Sequence, residues 1–408
     1  MQDTNSERSQ MRHDYLEHLK QRQESFPESR RASLLAEEVR RRDTQANRPN
    51  AEGRRVLVIG GAGYIGSVVV PDLLADGHAV VSADLLLYEN GPLALAHWFH
   101  PRYEFQRLDL RQPDSWAAVL AGVSDVVILG ALVGDPVTKR YPHQSQQINV
   151  EALKQLFPLL DQAKVNKVVF VSTCSNYGMQ ADDTPATEEA VLNPLSIYAQ
   201  NKVEVERYLQ SRRWHFRPTI LRFATAFGLS PRMRFDLTVN EFARELFLRR
   251  ELLVYDADTW RPYCHVRDLS LAIRRVLDYP VAVVGEQVFN TGGDASNHTK
   301  RSIVEIIAKL IPGSNVSYKA QGSDPRNYRV NFAKIRTTLD FAPKFSVEAG
   351  VQEICAALDR GVFHDADSRP AFHGNRIIPL FDQEAAAGSC PRAATSLDGK
   401  FPPATAAV

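Results

Sequence analysis

The distribution of apolar and polar residues divides the chain into three parts. Residues 1–53 are polar and of mixed charge, with a few leucines at near-helical spacing. Short apolar runs begin at Arg55, and from His364 the chain is rich in Ala, Pro and Ser. These patterns predict a polar N-terminal extension, which is either a solvated segment or a set of surface helices, then a folded body, and a flexible C-terminal tail over 364–408.

Strand and helix patterns alternate in the first half of the folded body. The predicted strands are 56–59, 79–83, 103–105, 125–129, 167–171, 219–223 and 286–290, and the clearest helices are 151–163, 197–212 and 266–277. Strands that alternate with helices indicate a doubly wound parallel sheet of the α/β class. We assign residues 54–228, with about 265–298, to this domain. The looser pattern of residues 229–264 and 299–363 predicts a smaller mixed α/β domain that binds the substrate.

Length, charge and cysteine content restrict the class of protein. The chain of 408 residues is long for one domain and ordinary for a two-lobed enzyme. A net charge of +1 argues against a nucleic-acid or membrane partner recognised through bulk charge. No apolar run could cross a bilayer, and the N-terminus lacks the apolar core of a signal peptide. Four widely spaced cysteines argue against disulfides and a zinc ribbon, so we expect a cytoplasmic protein without a metal site.

The first predicted strand leads directly into a glycine-rich turn, G-x-x-G-x-x-G, at Gly60, Gly63 and Gly66. Glycines allow a sharp turn and let the backbone approach a diphosphate, which then lies at the N-terminus of the next helix. The second strand is followed by Asp84, whose carboxylate can bind both hydroxyls of an adenosine ribose and repels a 2′-phosphate. The plain alternative is a structural turn with a capping acid. The order of the elements favours a dinucleotide site, with NAD rather than NADP.

Two further stretches carry reactive side chains. VSTCSNYG, at 171–178, ends a predicted strand with hydroxyl groups and a thiol, and parallel sheets bind ligands at such ends. YAQNK, at 198–202, places the Tyr198 phenol and the Lys202 ammonium on one helix face. We expect the charge of Lys202 to lower the pKa of Tyr198 and make it a better base at neutral pH. Taken alone, the first stretch is more typical of a strand end that caps loop backbone, and the second is more typical of a surface Tyr–Lys pair.

Taken together, the motifs resemble the extended short-chain dehydrogenase/reductase family, in particular its nucleotide-sugar epimerase and dehydratase branch. The resemblance covers roughly residues 54–360 and rests on these segments in the family's order: VLVIGGAGYIGS, Asp84, LDLRQPDS, VILGALVGDP, VFVSTCSNYG, PLSIYAQNK, LRFATAFG and RPYCHVRDLS. It implies a Rossmann-type doubly wound sheet and a nucleotide-diphosphate sugar as substrate. It also implies a homodimer, paired through the helices that begin near Glu151 and Ile197.

The resemblance also implies a role for individual residues. Thr173 would hydrogen-bond the reacting sugar hydroxyl, Tyr198 would be the acid/base, and Lys202 would tune it and hold the nicotinamide ribose. The implied cofactor contacts also include Gly60, Gly63, Tyr64, Ile65, Gly66, Asp84, Asp109, Leu110, Gly130, Ala131, Leu132 and Asn149, of which Asn149 supports the active site. The implied substrate contacts are Thr173, Thr225, Asp236, Arg261 and Arg326. For Arg326 a surface salt bridge is the equal alternative.

The family contains several reactions that begin with oxidation of a sugar hydroxyl. Its dehydratases carry an Asp-Glu pair directly after the catalytic Thr, where this chain has Cys174 and Ser175. Decarboxylases often have Glu at the second position, and 3,5-epimerising members have Cys there. A 4-epimerase needs no additional acid or base, and we therefore expect 4-epimerisation. Thr225 and Asp236 replace the Asn residues that many relatives carry, which leaves the nucleotide and the sugar open.

Three other functions stay possible on the sequence. A 4-keto-sugar reductase would consume NAD(P)H, and a dehydratase would draw its acid and base from elsewhere. A non-catalytic scaffold would bind a dinucleotide only. The presence of Thr173, Tyr198 and Lys202 together argues against the scaffold, since non-catalytic relatives typically lose the Tyr or the Lys.

Overall fold

The computed structural model describes residues 53–88, 90–179, 184–320, 322, 326–369, 372 and 378–386. The predicted N-terminal extension, apart from Gly53, and residues 387–408 of the predicted tail lie outside the described residues. In the part that is described, no helix is both long enough and apolar enough to cross a membrane.

Seven parallel strands form the central sheet. They are β1 Arg55–Ile59, β2 Ala79–Asp84, β3 Tyr103–Arg107, β4 Asp125–Ile128, β5 Lys167–Thr173, β6 Arg217–Phe223 and β10 Gln287–Thr291, numbered in chain order. The order across the sheet is β10-β6-β5-β4-β1-β2-β3, with every neighbouring pair parallel. This topology confirms the predicted doubly wound sheet and places its reversal of direction between β1 and β4.

Helices cover both faces of the sheet because successive strand residues point to opposite sides. Val56 and Val58 of β1 belong to one apolar core, whereas Leu57 and Ile59 belong to the other. The helices of this region are α1 Gly66–Ala75, α2 Gly91–Leu95, α3 Trp116–Val119, α4 Asp135–Arg140, α5 Pro142–Gln146, α6 Ala152–Gln162, α7 Ile197–Gln210, α9 Val266–Asp278, α10 Val281–Val284 and α12 Ala333–Leu339. Helices α1 and α9 contribute to the first core, and α6 and α7 to the second.

Four short segments depart from α-helical or extended geometry. Residues Cys174–Tyr177 form a 3-10 turn directly after β5, and Gln147–Glu151 form one π-helical turn before α6. Two further 3-10 turns are Pro113–Ser115 and Asp294–Ser296. Because π turns inside helices are rare and often occur at functional sites, the segment 147–151 is a point of interest.

A smaller set of elements packs around a third apolar core. Its strands are β7 Thr225–Phe227, β8 Glu251–Tyr255, β9 Trp260–His265, β11 Asn297–Thr299 and β12 Asn315–Lys319, and its helices are α8 Thr238–Arg249, α11 Lys300–Leu310 and α13 Val347–Asp359. β9 pairs with β7 in parallel and with β11 antiparallel, while β8 pairs with β12. These elements lie largely in the residues predicted for the substrate domain. The division into two domains itself stays a prediction.

Part of the predicted flexible tail is packed on the body, which corrects that expectation. Residues 379–386 form helix α14, Pro379–Ala386, and Phe381 is fully buried in the second core. The rings of Phe381 and Tyr141 meet edge to face at 5.4 Å, and the Tyr141 hydroxyl donates to Asp382 at 2.8 Å. The Ala- and Pro-rich composition of the tail gave no indication that Phe381 packs on the body.

Close backbone packing fixes the turn between β1 and α1. Gly60 has a φ of +85°, and a Cβ placed on it would lie 2.6 Å from the backbone nitrogen of Gly130. A Cβ on Gly66 would lie 2.7 Å from the Cα of Gly61 and even closer to the Gly60 carbonyl oxygen. Side chains are therefore excluded from both positions, since backbone atoms cannot move aside as a flexible side chain can.

We predict that Gly66→Ala lowers the free energy of unfolding by about 1–3 kcal/mol, because the added methyl group overpacks against backbone. It should also weaken dinucleotide binding. Denaturant unfolding and calorimetric titration with NAD would measure both effects. Gly91→Ala is the matched control, since nothing lies within 4 Å of its Cβ position in α2. Equal stability of the two variants would contradict the proposed packing constraint.

Candidate functional site

A cavity of about 710 Å³ opens at the carboxyl ends of the parallel strands. Its wall includes the last residues of β1, β2 and β5, so it lies where the strand order reverses. All of the predicted cofactor, catalytic and substrate residues line this cavity except Asn149. Thus the fold brings together side chains that lie far apart in the sequence.

One end of the cavity has the features of a dinucleotide cradle. The Asp84 carboxylate accepts hydrogen bonds from the backbone N–H groups of Ala62, at 3.1 Å, and Leu86, at 2.8 Å. Burial raises the pKa of Asp84 above its ordinary value, and these two donors oppose the rise. The glycine turn excludes side chains beside this carboxylate, which leaves room for a diphosphate at the start of α1.

Asp109 lines the same end of the cavity. It forms an ion pair with Arg111 that the sequence did not indicate. Arg111 donates from Nε and Nη2 to the Asp109 carboxylate, the shortest contact being 2.7 Å. The same guanidinium donates to Glu384 of α14 at 3.0 Å. Helix α14 therefore contacts the loop that carries Asp109 through this ion pair. The distance in sequence between Arg111 and Glu384 explains why no local pattern indicated this contact.

Asn149 lies behind the cavity wall, which corrects its expected place among the cofactor contacts. Its Oδ1 accepts from the Leu132 N–H at 2.8 Å, and its Nδ2 donates to the Leu132 carbonyl at 3.0 Å. Nδ2 also donates to Ser145 Oγ at 3.2 Å, and that hydroxyl donates to Asn201 of α7 at 2.9 Å. From the π turn, Asn149 thus fixes the 130–132 loop relative to the helix that carries Tyr198.

Thr173, Tyr198 and Lys202 meet at the other end of the cavity. Thr173 is the last residue of β5, and its hydroxyl accepts from the Ser175 N–H at 3.1 Å. Tyr198 lies in the first turn of α7, and Lys202 lies one turn further on. Lys202 is 2% exposed and donates from Nζ to the carbonyl of Val171 at 2.8 Å. The lysine thereby ties the helix to the strand that carries the threonine.

Cys174 and Ser175 have different surroundings although they are adjacent. Cys174 is buried in the first core, and its thiol donates to the Arg222 carbonyl at 3.1 Å. Burial raises the pKa of this thiol far above its ordinary value, so it is a packed side chain rather than an acid or base. Ser175 lines the cavity and lies 3.3 Å from the Tyr328 hydroxyl.

Several arginines line the cavity. Arg234 pairs with Asp236 through two contacts of 3.0 and 2.6 Å. Burial alone would raise the pKa of Asp236, but the charge and hydrogen bonds of Arg234 lower it below its ordinary value. This ion pair supplies the balancing charge that an acid near a diphosphate requires. Arg261 is buried over the Tyr328 ring at 5.1 Å, and Thr225 lines the wall nearby on β7.

Arg326 lies at the end of the cavity that holds Thr173 and Tyr198, which we call the reactive end. It pairs with Asp135 at 3.3 Å and lies 3.4 Å from Ser175 Oγ. Asp135, at the start of α4, lines the same cavity and was missed by the sequence analysis. Its position in VGDP, directly after the loop that follows β4, is the only local signal that could have indicated it.

The comparison with known families agrees with this geometry. The model of the NAD dependent epimerase/dehydratase family matches residues 56–292, which is more than half of the chain. The chain belongs to this family. NAD is therefore its cofactor, and the glycine cradle and Asp84 described above fit such a dinucleotide.

Individual relatives are similar over nearly their whole length. The UDP-glucose 4-epimerase of Lactobacillus helveticus is 27% identical over 316 residues, which cover 71% of this chain and 92% of that protein. The UDP-glucuronic acid 4-epimerase from Bacillus cereus, solved with UDP-glucuronic acid and NAD, has a TM-score of 0.68 at 22% identity, covering 75% and 99% of the chains. The dTDP-glucose 4,6-dehydratase DesIV from Streptomyces venezuelae, with NAD bound, reaches 0.67 at 26%, covering 76% and 98%.

Burial shifts the pKa of Tyr198 and of Lys202, and the shift of Tyr198 is opposite to the expectation. It raises the pKa of Tyr198 well above its ordinary value, and Arg234 opposes this shift while Asp135 adds to it. It lowers the pKa of Lys202 to about 7, against the opposing effect of Glu206. The expected lowering of the Tyr198 pKa by Lys202 is therefore wrong for the protein without ligands, because desolvation penalises both charged forms.

A buried network beneath the site was also missed. Glu206 lies four residues after Lys202 on α7 and pairs with Arg222 of β6 at 2.7 Å. Asn176 donates to Glu206 at 2.8 Å, and the Ser172 hydroxyl donates to it as well. Arg222 also donates to the Tyr177 hydroxyl at 2.9 Å. The helical spacing from Lys202 could have indicated Glu206, whereas nothing local indicated its partner.

We predict that the stability of Lys202→Met relative to the wild type falls with rising pH in the nucleotide-free protein. Below pH 7 the lysine is charged in both folded and unfolded chains, so the burial penalty of the wild type is complete. Above a folded pKa of about 7 the folded lysine releases its proton while the unfolded one keeps it, and the wild type gains stability. Between pH 6 and pH 9 this gain amounts to about 3 kcal/mol.

Denaturant unfolding at several pH values would measure this difference. Lys319→Met, which replaces an exposed lysine of β12, is the control and should show a flat difference. A Lys202→Met difference that is equally flat would show that the lysine keeps an ordinary pKa in the folded chain.

Proposed function

We propose that the protein is an NAD-dependent nucleotide-sugar 4-epimerase. The observation that carries this proposal is the end of β5, where Thr173 and Ser175 line the cavity beside Tyr198 while Cys174 is buried. The two positions at which the resemblance places the acid and base of a dehydratase thus hold a hydroxyl group and a packed thiol. In the same cavity lie the glycine cradle and Asp84.

Tyr198 accepts the proton of the sugar hydroxyl in this proposal. Thr173 orients that hydroxyl, and the buried ammonium of Lys202 stabilises the negative charge that develops on the phenol. Bound NAD supplies a reversible hydride acceptor, which is why a 4-epimerase requires no further acid or base. After the keto-sugar has rotated within the site and has taken the hydride back on its other face, Tyr198 returns the proton to the sugar oxygen.

Arg261 and Arg326 are proposed to bind the diphosphate of the substrate. Guanidinium groups suit this role because their planar fork binds phosphate oxygens in pairs. Both side chains line the cavity, on β9 and on the segment beside Tyr328. The identity of the base and of the sugar is left to experiment. We further propose a cytoplasmic homodimer that pairs through α6 and α7, which sedimentation would test.

A dehydratase is the second candidate, and one observation favours it. Asp135 is a carboxylate in the cavity, its charge contributes to the raised pKa of Tyr198, and its Oδ1 is buried without a hydrogen-bond partner among the described residues. It could act as the acid or base that residues 174 and 175 do not provide. Its ion pair with Arg326 makes a role as a fixed counter-charge more direct, and we therefore rank dehydration second.

Product analysis distinguishes these reactions. The purified protein would be incubated with UDP-, dTDP-, GDP- and CDP-sugars without added reductant, and the products examined by mass spectrometry and NMR. We expect a product of unchanged mass with an inverted C4 proton. A loss of water that Asp135→Asn abolishes would establish the dehydratase instead. Turnover of a keto-sugar only with added NADH or NADPH would establish a reductase.

We predict that Tyr198→Phe lowers kcat by at least about 100-fold, because a positioned acid/base contributes on this scale. The variant should still bind NAD, since only the phenolic oxygen is removed. Tyr208→Phe is the matched control: Tyr208 lies on the same helix, and its hydroxyl donates to the Lys154 carbonyl at 3.3 Å, outside the cavity. Undiminished turnover by Tyr198→Phe would contradict the mechanism.

A further inference from the structure

Arg232 is a buried cation whose guanidinium carries donors that the described part of the chain leaves unsatisfied. Its residue is 7% exposed, and it lines the cavity. Among the described residues, neither its Nε nor its Nη2 has a hydrogen-bond partner. A buried guanidinium with unsatisfied donors is unfavourable unless a ligand supplies the acceptors. The arrangement therefore indicates a site for an acceptor that the chain itself does not provide.

The charges around Arg232 favour an anion as that acceptor. Arg234, two residues away, is a like charge, and the Asp236 carboxylate is already engaged by Arg234. The Arg232 guanidinium lies over the ring of Tyr88 at 4.6 Å from its centroid. Burial and the neighbouring Arg234 lower its pKa to about 10, so it stays charged at neutral pH. A positive charge without a dedicated partner faces the cavity.

Backbone contacts place the segment that carries Arg232 against the glycine turn. The Tyr64 hydroxyl donates to the Gly228 carbonyl at 2.6 Å, and the Ser230 hydroxyl donates to the Tyr64 carbonyl at 2.7 Å. Ser230 also lies 3.0 Å from the hydroxyl of Ser67 in the first turn of α1. Arg232 follows two residues later, next to the turn whose shape accommodates a dinucleotide diphosphate.

The two arginines of this segment differ in the groups on which they act, although both oppose the rise in the pKa of Tyr88. The charge of Arg232 opposes the rise in the pKa of Asp84, at the adenosine end. The charge of Arg234 opposes the rise in the pKa of Tyr198, at the reactive end. Tyr88, which lies under Arg232, follows β2 on the same side as Asp84. Arg232 is thus associated with the cofactor end rather than the sugar end.

We propose that Arg232 donates hydrogen bonds to the diphosphate of bound NAD, beside the glycine turn. The glycine turn offers backbone N–H groups to this diphosphate, and Arg232 adds a charged, forked donor. Together, these donors slow the dissociation of NAD between turnovers. It depends on the cofactor of the family and not on which sugar reaction the enzyme performs.

Calorimetric titrations of the full-length, nucleotide-stripped protein test this proposal. Arg232→Gln should weaken NAD binding by about 10- to 100-fold, the range for loss of charge-assisted hydrogen bonds, and should leave the binding of adenosine unchanged. Arg267→Gln is the matched control, because Arg267 lies over the Phe345 ring at 4.5 Å on the exposed side of α9 and does not line the cavity. It should bind NAD like the wild type.

Thermal unfolding separates binding from a structural role. Without nucleotide, Arg232→Gln should be at least as stable as the wild type, because it removes a buried and unsatisfied charge. The increase in Tm caused by NAD should shrink. If Arg232→Gln does not fold, Arg232→Lys keeps the charge but loses the fork, and should weaken NAD binding by about tenfold.

Three results would overturn the proposal. A lower Tm without nucleotide, together with an unchanged Kd for NAD, would make Arg232 a structural residue. Weaker binding of UDP at saturating NAD, with the Kd for NAD unchanged, would assign Arg232 to the diphosphate of the substrate. A larger loss of affinity for NADP than for NAD would assign it to a 2′-phosphate.

Discussion

The attachment of α7 to the end of β5 is the constraint on which the candidate site depends. Thr173 ends the strand and Tyr198 begins the helix, so the distance between their hydroxyl groups is set by how these two elements pack. Two buried contacts of α7 hold them: Lys202 to the Val171 carbonyl, and Glu206 to Arg222, Asn176 and Ser172. Because the ion pair has several hydrogen-bond partners, the cost of burying its charges is offset locally. Asn201 adds a link through Ser145 to Asn149, which fixes the loop after β4.

Burial gives Tyr198 and Lys202 a shared electrostatic constraint. Burial favours the neutral form of each group, because desolvation raises the pKa of the Tyr198 phenol and lowers that of the Lys202 amine. An isolated charge on either group is therefore unfavourable, whereas opposite charges on both attract each other across a low-dielectric cavity. Negative charge on Tyr198 consequently requires positive charge nearby. This coupling is a physical reason for placing an ammonium and a phenol one helical turn apart.

Local patterns were sufficient to predict the sheet, the glycine turn and the proximity of Tyr198 and Lys202 on one helix. Apolar runs indicate strands that are buried on both faces. The spaced glycines indicate a turn in which backbone segments pack closely together. Contacts that join distant segments carried no such signal. Arg111 meets Glu384 across 273 positions, and Tyr64 meets Gly228 across 164. Asn149 lies in a π turn that no residue pattern indicated, and this turn directs its side chain to the backbone of Leu132. For the same reason the docking of α14 and the partner of Glu206 were not predicted.

The segment 228–236 connects the two ends of the cavity. Its backbone and Ser230 are anchored on Tyr64 and Ser67, so it cannot move independently of the glycine turn. Arg232 and Arg234 influence the cofactor end and the reactive end, respectively, while Asp236 neutralises one of them. Two cations and one anion leave one net positive charge, which a bound diphosphate would satisfy. Because one short segment carries both arginines, an anion bound beside Arg232 would also lie close to the charge that acts on Tyr198.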